Sequence, residues 1–139
     1  MRVDTLAKQL LFSTVRVTNT EFNGEVSTGT AFVFNGGTSL ESEEVVAMLV
    51  SNKHVIGNAA QIDFDFLARN ADNTGPDLSK PPRIHSMYGA DAANVIGHPD
   101  PDVDIAVMPL ANLILSMDES DRPYLNMLNW WHLPSLIHT

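Results

Sequence analysis

Apolar and polar residues alternate along much of the chain between residues 13 and 110. The clearest case is residues 60–68, AQIDFDFLA, where Ile62, Phe64 and Phe66 share one side of an extended chain. Other segments are rich in β-branched and aromatic residues or continuously apolar, as strands tend to be: residues 13–22, 27–37, 45–52 and 105–108. Short strands at this spacing predict an antiparallel barrel or sandwich, so the expected fold class is all-β.

The segments around these strands are of other kinds. Residues 4–11, DTLAKQLL, fit a short helix with Asp4 at its N-cap. Residues 69–83 are polar and rich in proline, which predicts an exposed loop. Pro109 stops the last strand. We therefore assign residues 1–110 to one domain and residues 111–139 to a linker and irregular tail.

Composition narrows the range of functions. A chain of 139 residues with a hydrophobic fraction of 44% is an ordinary globular domain. A formal net charge of −9 argues against nucleic acid or an anionic membrane as a partner. The chain has no cysteine, which excludes disulfides and thiolate sites. The N-terminal segment MRVDTLAKQLLFSTV lacks a long apolar stretch, so a soluble, cytoplasmic protein is expected.

Two titratable residues stand at the ends of apolar strands. His54 comes just after the run VVAMLVSN, and Asp104 directly precedes IAVM. A lone histidine in such a place is most often structural, hydrogen-bonded within a turn. A carboxylate that enters an apolar strand needs a partner, however, and it can hold the Nδ1–H of a histidine so that Nε2 is left as a general base. Ends of non-adjacent strands can converge at one rim of a barrel, so we expect His54 and Asp104 to meet.

Three short motifs, GTAFVF, LVSNKHVI and DIAVMPL, occur in this order between residues 29 and 110. Together they resemble the trypsin-like serine peptidases, especially bacterial members with the HtrA-type pattern. The resemblance implies a chymotrypsin-like double-barrel fold, of which this chain would supply the N-terminal six-stranded antiparallel barrel. It also implies that His54 is the general base and Asp104 its orienting acid, with Asp102 as the competing aspartate. The implied substrate is a polypeptide, and no cofactor or metal is expected.

The third member of the catalytic triad has no counterpart here. The family carries its nucleophile in a G-(D/N)-S-G-G turn, and the downstream serines of this chain are not flanked by glycine: Ser116, Ser120 and Ser135. Without the serine and its oxyanion donors, the chain alone should be inactive. We therefore expect the truncated N-terminal part of a serine endopeptidase, whose uncovered face favours self-association.

Two alternatives stay open at this point. The first is a non-catalytic β-barrel module for binding or structure, which kept the barrel and lost the reaction. The second is a metal protein, suggested by HPDPDVD and by the histidines His54, His85 and His98. A calcium loop requires glycine and glutamate where this chain has Ile105 and Ala111, so a tight polar turn is the simpler interpretation.

Overall fold

Strands account for most of the regular structure in the computed structural model, which describes residues 2–3, 5–36 and 46–129. The strands are β1 (Thr14–Glu21), β2 (Val26–Asn35), β3 (Ala47–Ser51), β4 (Ala59–Phe66), β5 (Arg83–Tyr88), β6 (Ile96–Gly97), β7 (Ala106–Pro109) and β8 (Leu128–Asn129). The helices are short: α1 (Leu6–Phe12), α2 (Lys53–Ile56), α3 (Gly89–Ala93), α4 (Ala111–Leu115) and a 3-10 turn at Glu119–Asp121. The all-β class expected from the alternation is confirmed.

Seven strands form one antiparallel sheet in the order β5-β4-β1-β2-β3-β7-β6, and β8 pairs with β2 in parallel. The expected closed six-stranded barrel is wrong, because in the described part of the chain the sheet is open, with β5 and β6 at its two edges. After β5, Gly89 has a positive φ of 55° and the chain turns into α3, which packs on β4 and β5. Strand β6 then has only two residues, which is too short to close the sheet against β5.

The core is built from the residues that the alternation placed on one side. In β4, Ile62, Phe64 and Phe66 are buried, and the rings of Phe64 and Phe66 stack with centroids 5.6 Å apart. Strand β1 adds Val15 and Val17 to the same cluster. Burying one such side chain is worth about 1.5–3 kcal/mol, and a one-residue slip in register would expose the whole set. Burial therefore fixes the register of β1 and β4.

Two segments depart from the sequence prediction. Residues 83–93 form β5 and α3, and the alternation in β5 is weak because Met87 is its only buried residue. After residue 110, α4 buries Leu113 and β8 joins β2, so the predicted irregular tail packs on the sheet as far as Asn129. The predicted N-terminal helix is present as α1, whereas its proposed cap, Asp4, lies outside the described residues.

None of the helices in the described ranges has the length and apolar character that crossing a membrane requires.

Candidate active site

His54 lies on the single helical turn that follows β3. Strand β3 ends at Ser51, and α2 begins at Lys53. Within α2, Val55 and Ile56 are buried, whereas the side chain of His54 is 71% exposed. The apolar residues thus anchor the turn to the core and leave the imidazole at the surface.

A buried asparagine holds the α2 turn in place from its buried side. The side-chain amide of Asn19, on β1, donates to the carbonyls of Val55 and Gly57, each at 2.9 Å. These carbonyls close the C-terminal end of α2, where helix carbonyls lack partners within the helix. Asn19 therefore ties the turn that carries His54 to the centre of the sheet.

A glycine makes room for the same turn. A Cβ added to Gly29, on β2, would lie 2.6 Å and 2.8 Å from the two γ-carbons of Val55. Real Cβ atoms do not approach so closely, so a side chain at position 29 would displace α2. The glycine of the GTAF motif is thus explained by the packing beneath His54.

Asp104 holds both the ring and the backbone of His54. One carboxylate oxygen, Oδ2, is hydrogen-bonded to His54 Nδ1, and the other, Oδ1, accepts the His54 backbone N–H at 3.1 Å. The Asn52 side chain donates to the Asp104 carbonyl at 2.9 Å and so fixes the segment that enters β7. With Nδ1 engaged as a donor, Nε2 is the ring nitrogen left to accept a proton. The structure brings His54 and Asp104 together, as the sequence predicts.

The hydrogen bond from the His54 side chain lowers the pKa of Asp104 below its usual range. This carboxylate is thus held in the ionised form that orients the ring. The pair is open to solvent, with 48% of the Asp104 side chain exposed. Because water screens an exposed contact of this kind, the geometry rests on the backbone contacts as well as on the ring contact.

Asp102 belongs to a separate turn and does not compete for His54. Its backbone N–H donates to Asp100 Oδ1 at 2.9 Å, and the Asp100 N–H donates to His98 Nδ1 at 3.1 Å. Lys53 Nζ donates to the Asp100 carbonyl at 3.0 Å, which links this turn to α2. Among the described residues, no three histidines, aspartates or glutamates are grouped to hold a metal ion.

The candidate serines that the structure describes lie in or next to short helical turns. Ser116 follows α4, and its hydroxyl donates to the Leu113 carbonyl at 2.6 Å, as at the end of a helix. Ser120 is in the 3-10 turn, while Ser135 lies outside the described residues. Ser51, three residues before His54, donates to the Thr30 carbonyl at 2.8 Å and so joins β3 to β2.

Two positioning residues, Asn19 and Asn52, were missed by the sequence reasoning. A signal for Asn19 existed, because it continues the buried side of β1 after Val15 and Val17. A buried amide is almost always hydrogen-bonded, which predicts a local structural task. Asn52 lies inside the motif that ends at His54, but its contact is with a residue 52 positions away. No local pattern could have shown that contact.

Comparison with protein-family models, curated proteins and solved structures finds no match to this chain.

Proposed function

We propose that this chain carries the general base and the orienting acid of a trypsin-like serine endopeptidase. The observation behind the proposal is the contact between His54 Nδ1 and the carboxylate of Asp104, at the positions of the family's histidine and aspartate motifs. The two residues are 50 positions apart in the chain, so the motifs alone did not dictate their contact.

The geometry of the pair supports one proposed role for each residue. Nε2 of His54 takes the proton of a serine hydroxyl as that oxygen attacks a peptide carbonyl, and later returns it to the leaving amine. Asp104 keeps the proton on Nδ1 and stabilises the imidazolium that forms between these steps. The serine and the oxyanion donors would come from sequence outside these 139 residues. Because losing one oxyanion donor lowers kcat by about 10²–10³ in known enzymes, we expect no hydrolysis by the chain alone.

The outer face of the sheet near the pair is apolar, which supports the proposal that a second half of the enzyme covers this face. Phe32, Val50 and Val107 are cross-strand neighbours on β2, β3 and β7, on the side of the sheet opposite the core. Ile105, which follows Asp104, is also exposed. We propose that this face is turned toward a second half of the complete enzyme.

A non-catalytic module is the second candidate. It is favoured by the lack of a glycine-flanked serine in this sequence and by the exposure of the pair. In such a module His54 and Asp104 would stabilise the end of the sheet, and no turnover would depend on them.

The tautomers of two histidines test the geometry of the pair. His54 should carry its proton on Nδ1, whereas His98 should carry it on Nε2, because His98 Nδ1 accepts the Asp100 N–H. Long-range ¹H–¹⁵N spectra, recorded where both rings are neutral, distinguish these forms. Asp104→Asn should shift His54 toward the Nε2–H form and leave His98 unchanged. An unchanged His54 would show that Asp104 does not fix the ring.

The reaction is tested on the complete gene product. A serine-directed phosphonylating reagent should label one glycine-flanked serine, and peptide turnover should fall about 10⁴-fold in both His54→Ala and Asp104→Asn. His98→Ala is the matched control and should retain turnover. Turnover in His54→Ala equal to that of the unmodified protein would exclude the peptidase mechanism. A complete product with neither labelling nor turnover would favour the module.

A further inference from the structure

Half of the chain's basic side chains converge on one small cavity. The cavity has a volume of about 100 Å³ and is lined by Arg69, Lys80, Arg83 and Arg122, together with His85. The whole chain has only eight lysines and arginines and a net charge of −9. A local excess of cations in such an acidic protein attracts an anion that the rest of the surface repels.

The fold itself brings these residues together. Arg83 and His85 are two positions apart on β5, so their side chains leave the same side of the strand. An isolated bridge pairs Ala68 with Pro123 and so places Arg69 beside Arg122. The site therefore depends on the packing of the 3-10 turn region against the end of β4.

Two residues that line this cavity each have a buried side-chain nitrogen without a hydrogen-bond partner. These nitrogens are Nδ1 of His85 and Nε of Arg122. An arginine Nε always carries a proton, and leaving such a buried donor unpaired is unfavourable and uncommon. After a small rotation of these side chains, an oxygen-rich anion in the cavity would accept from Arg122 Nε–H and from the neutral Nδ1–H form of His85, which burial favours by lowering the pKa of this ring. The unpaired atoms thus point to a ligand independently of the charge.

Nearby carboxylates lie beside two of the four cations, Lys80 and Arg83. Asp121 is the one carboxylate among the described residues that line the cavity, and its Oδ1 lies 3.9 Å from Arg83 Nη1. Lys80 Nζ is likewise 3.9 Å from Asp77 Oδ2. Exposed pairs at this distance are weak and exchange readily with other anions.

We propose that this cavity binds one small tetrahedral oxyanion, of the phosphate or sulfate kind. The volume corresponds to about three water molecules, which suits a single such group rather than a nucleotide. Arginine forks match the oxygens of such anions in geometry as well as charge. The ligand is either the free ion or a phosphoryl group at the end of a larger molecule.

The site is remote from the His54–Asp104 pair. Strand β4 starts next to α2 at Ala59 and ends at Phe66, beside the cavity. Eight residues of strand span roughly 23 Å. The anion site is therefore independent of the proposed peptidase chemistry, and either proposal can fail without the other.

The test is a sulfate titration of the full chain, at constant ionic strength, followed by NMR. The ring signals of His85 and the Nε–Hε signal of Arg122 should shift along a saturable curve. His98 lies in a different turn and serves as the internal control, so its signals should not follow that curve. Linear shifts of equal size at His85 and His98 would overturn the proposal, since they indicate a general salt effect.

Three variants separate a built site from overall charge. Arg122→Met should weaken sulfate binding about tenfold, the loss expected for one charge-assisted hydrogen bond. Arg16→Met removes the same charge from an exposed position on β1 and should change the affinity less than twofold. Equal losses in these two variants would overturn the proposal. If Arg122→Met does not fold, Lys80→Gln, at a side chain 63% exposed, must itself weaken binding at least threefold.

Two further ligands test which anions the cavity prefers and whether the bound anion is free or attached to a larger molecule. Acetate should bind more weakly than sulfate or phosphate, and equal binding of acetate would overturn the tetrahedral preference. O-phosphoserine tests whether the phosphoryl group can enter while attached to a larger molecule. Binding equal to that of phosphate supports an attached group, and binding of phosphate alone supports the free ion.

Discussion

Substituting alanine for Gly29 should damage the candidate site from beneath, without touching either titratable side chain. The new Cβ would lie 2.6 Å and 2.8 Å from the γ-carbons of Val55, where carbon atoms prefer 3.5–4.0 Å. Val55 is only 5% exposed, and the turn that carries it is tied down by Asn19. The overlap therefore cannot be relieved by a simple rotation into solvent.

The cost can be worked from these contacts. Overpacking of a core by one methyl group destabilises by about 1–3 kcal/mol. Replacing a strand glycine by alanine returns about 0.5–1 kcal/mol through the unfolded chain, since Gly29 does not need a positive φ. We expect Gly29→Ala to lower the free energy of unfolding by about 1–2 kcal/mol. It should also shift the His54 ring signals, because α2 must move to accommodate the methyl group.

A double-mutant cycle in urea measures the effect. Val55→Ala removes both γ-carbons and leaves Cβ, 3.3 Å from the added methyl, as the nearest Val55 atom. In that background Gly29→Ala should be neutral or slightly stabilising, so the coupling free energy should reach about 1–3 kcal/mol, the cost of overpacking. Gly97→Ala is the matched control, because its Cβ would meet the flexible Lys53 side chain at 3.1 Å. Additive losses, or a Gly29→Ala protein as stable as the wild type, would refute the packing argument.

Two other predictions follow from the contacts around the pair. Asn19→Asp should lower the free energy of unfolding by about 3 kcal/mol at pH 7, because an ionised carboxylate cannot donate to the carbonyls of Val55 and Gly57. Urea unfolding should show a smaller loss of stability at acidic pH, where the new side chain is protonated. His54→Ala should raise the pKa of Asp104 toward its ordinary value, as measured by carboxyl ¹³C NMR. Because the folded-state pKa is lowered, the associated stability is present above the unfolded-state pKa and is lost as pH falls through the folded one. An unchanged Asp104 pKa in His54→Ala would contradict the assigned cause.

The sequence predicted the elements whose residues sort strictly into apolar and polar sides. β1 and β4 are of this kind, because a change of register would expose Val17 or Phe64. β5 was missed because one buried residue, Met87, gives no period to detect. The closure of the sheet was predicted wrongly for a related reason. Whether β5 meets β6 depends on the turn at Gly89 and the length of β6, which are not features of alternation.

In the candidate site, too, local sequence patterns indicated some residues, and only the folded structure indicated the others. His54 and Asp104 could be found because each is a titratable residue at the end of an apolar strand, and such strand ends can converge. Asn19 reaches α2 across 36 positions of sequence, so only the folded sheet reveals what its amide holds. Arg69 and Arg122 meet only because Ala68 pairs with Pro123. Motifs thus identified the groups that can do chemistry, and the three-dimensional packing identified the groups that position them.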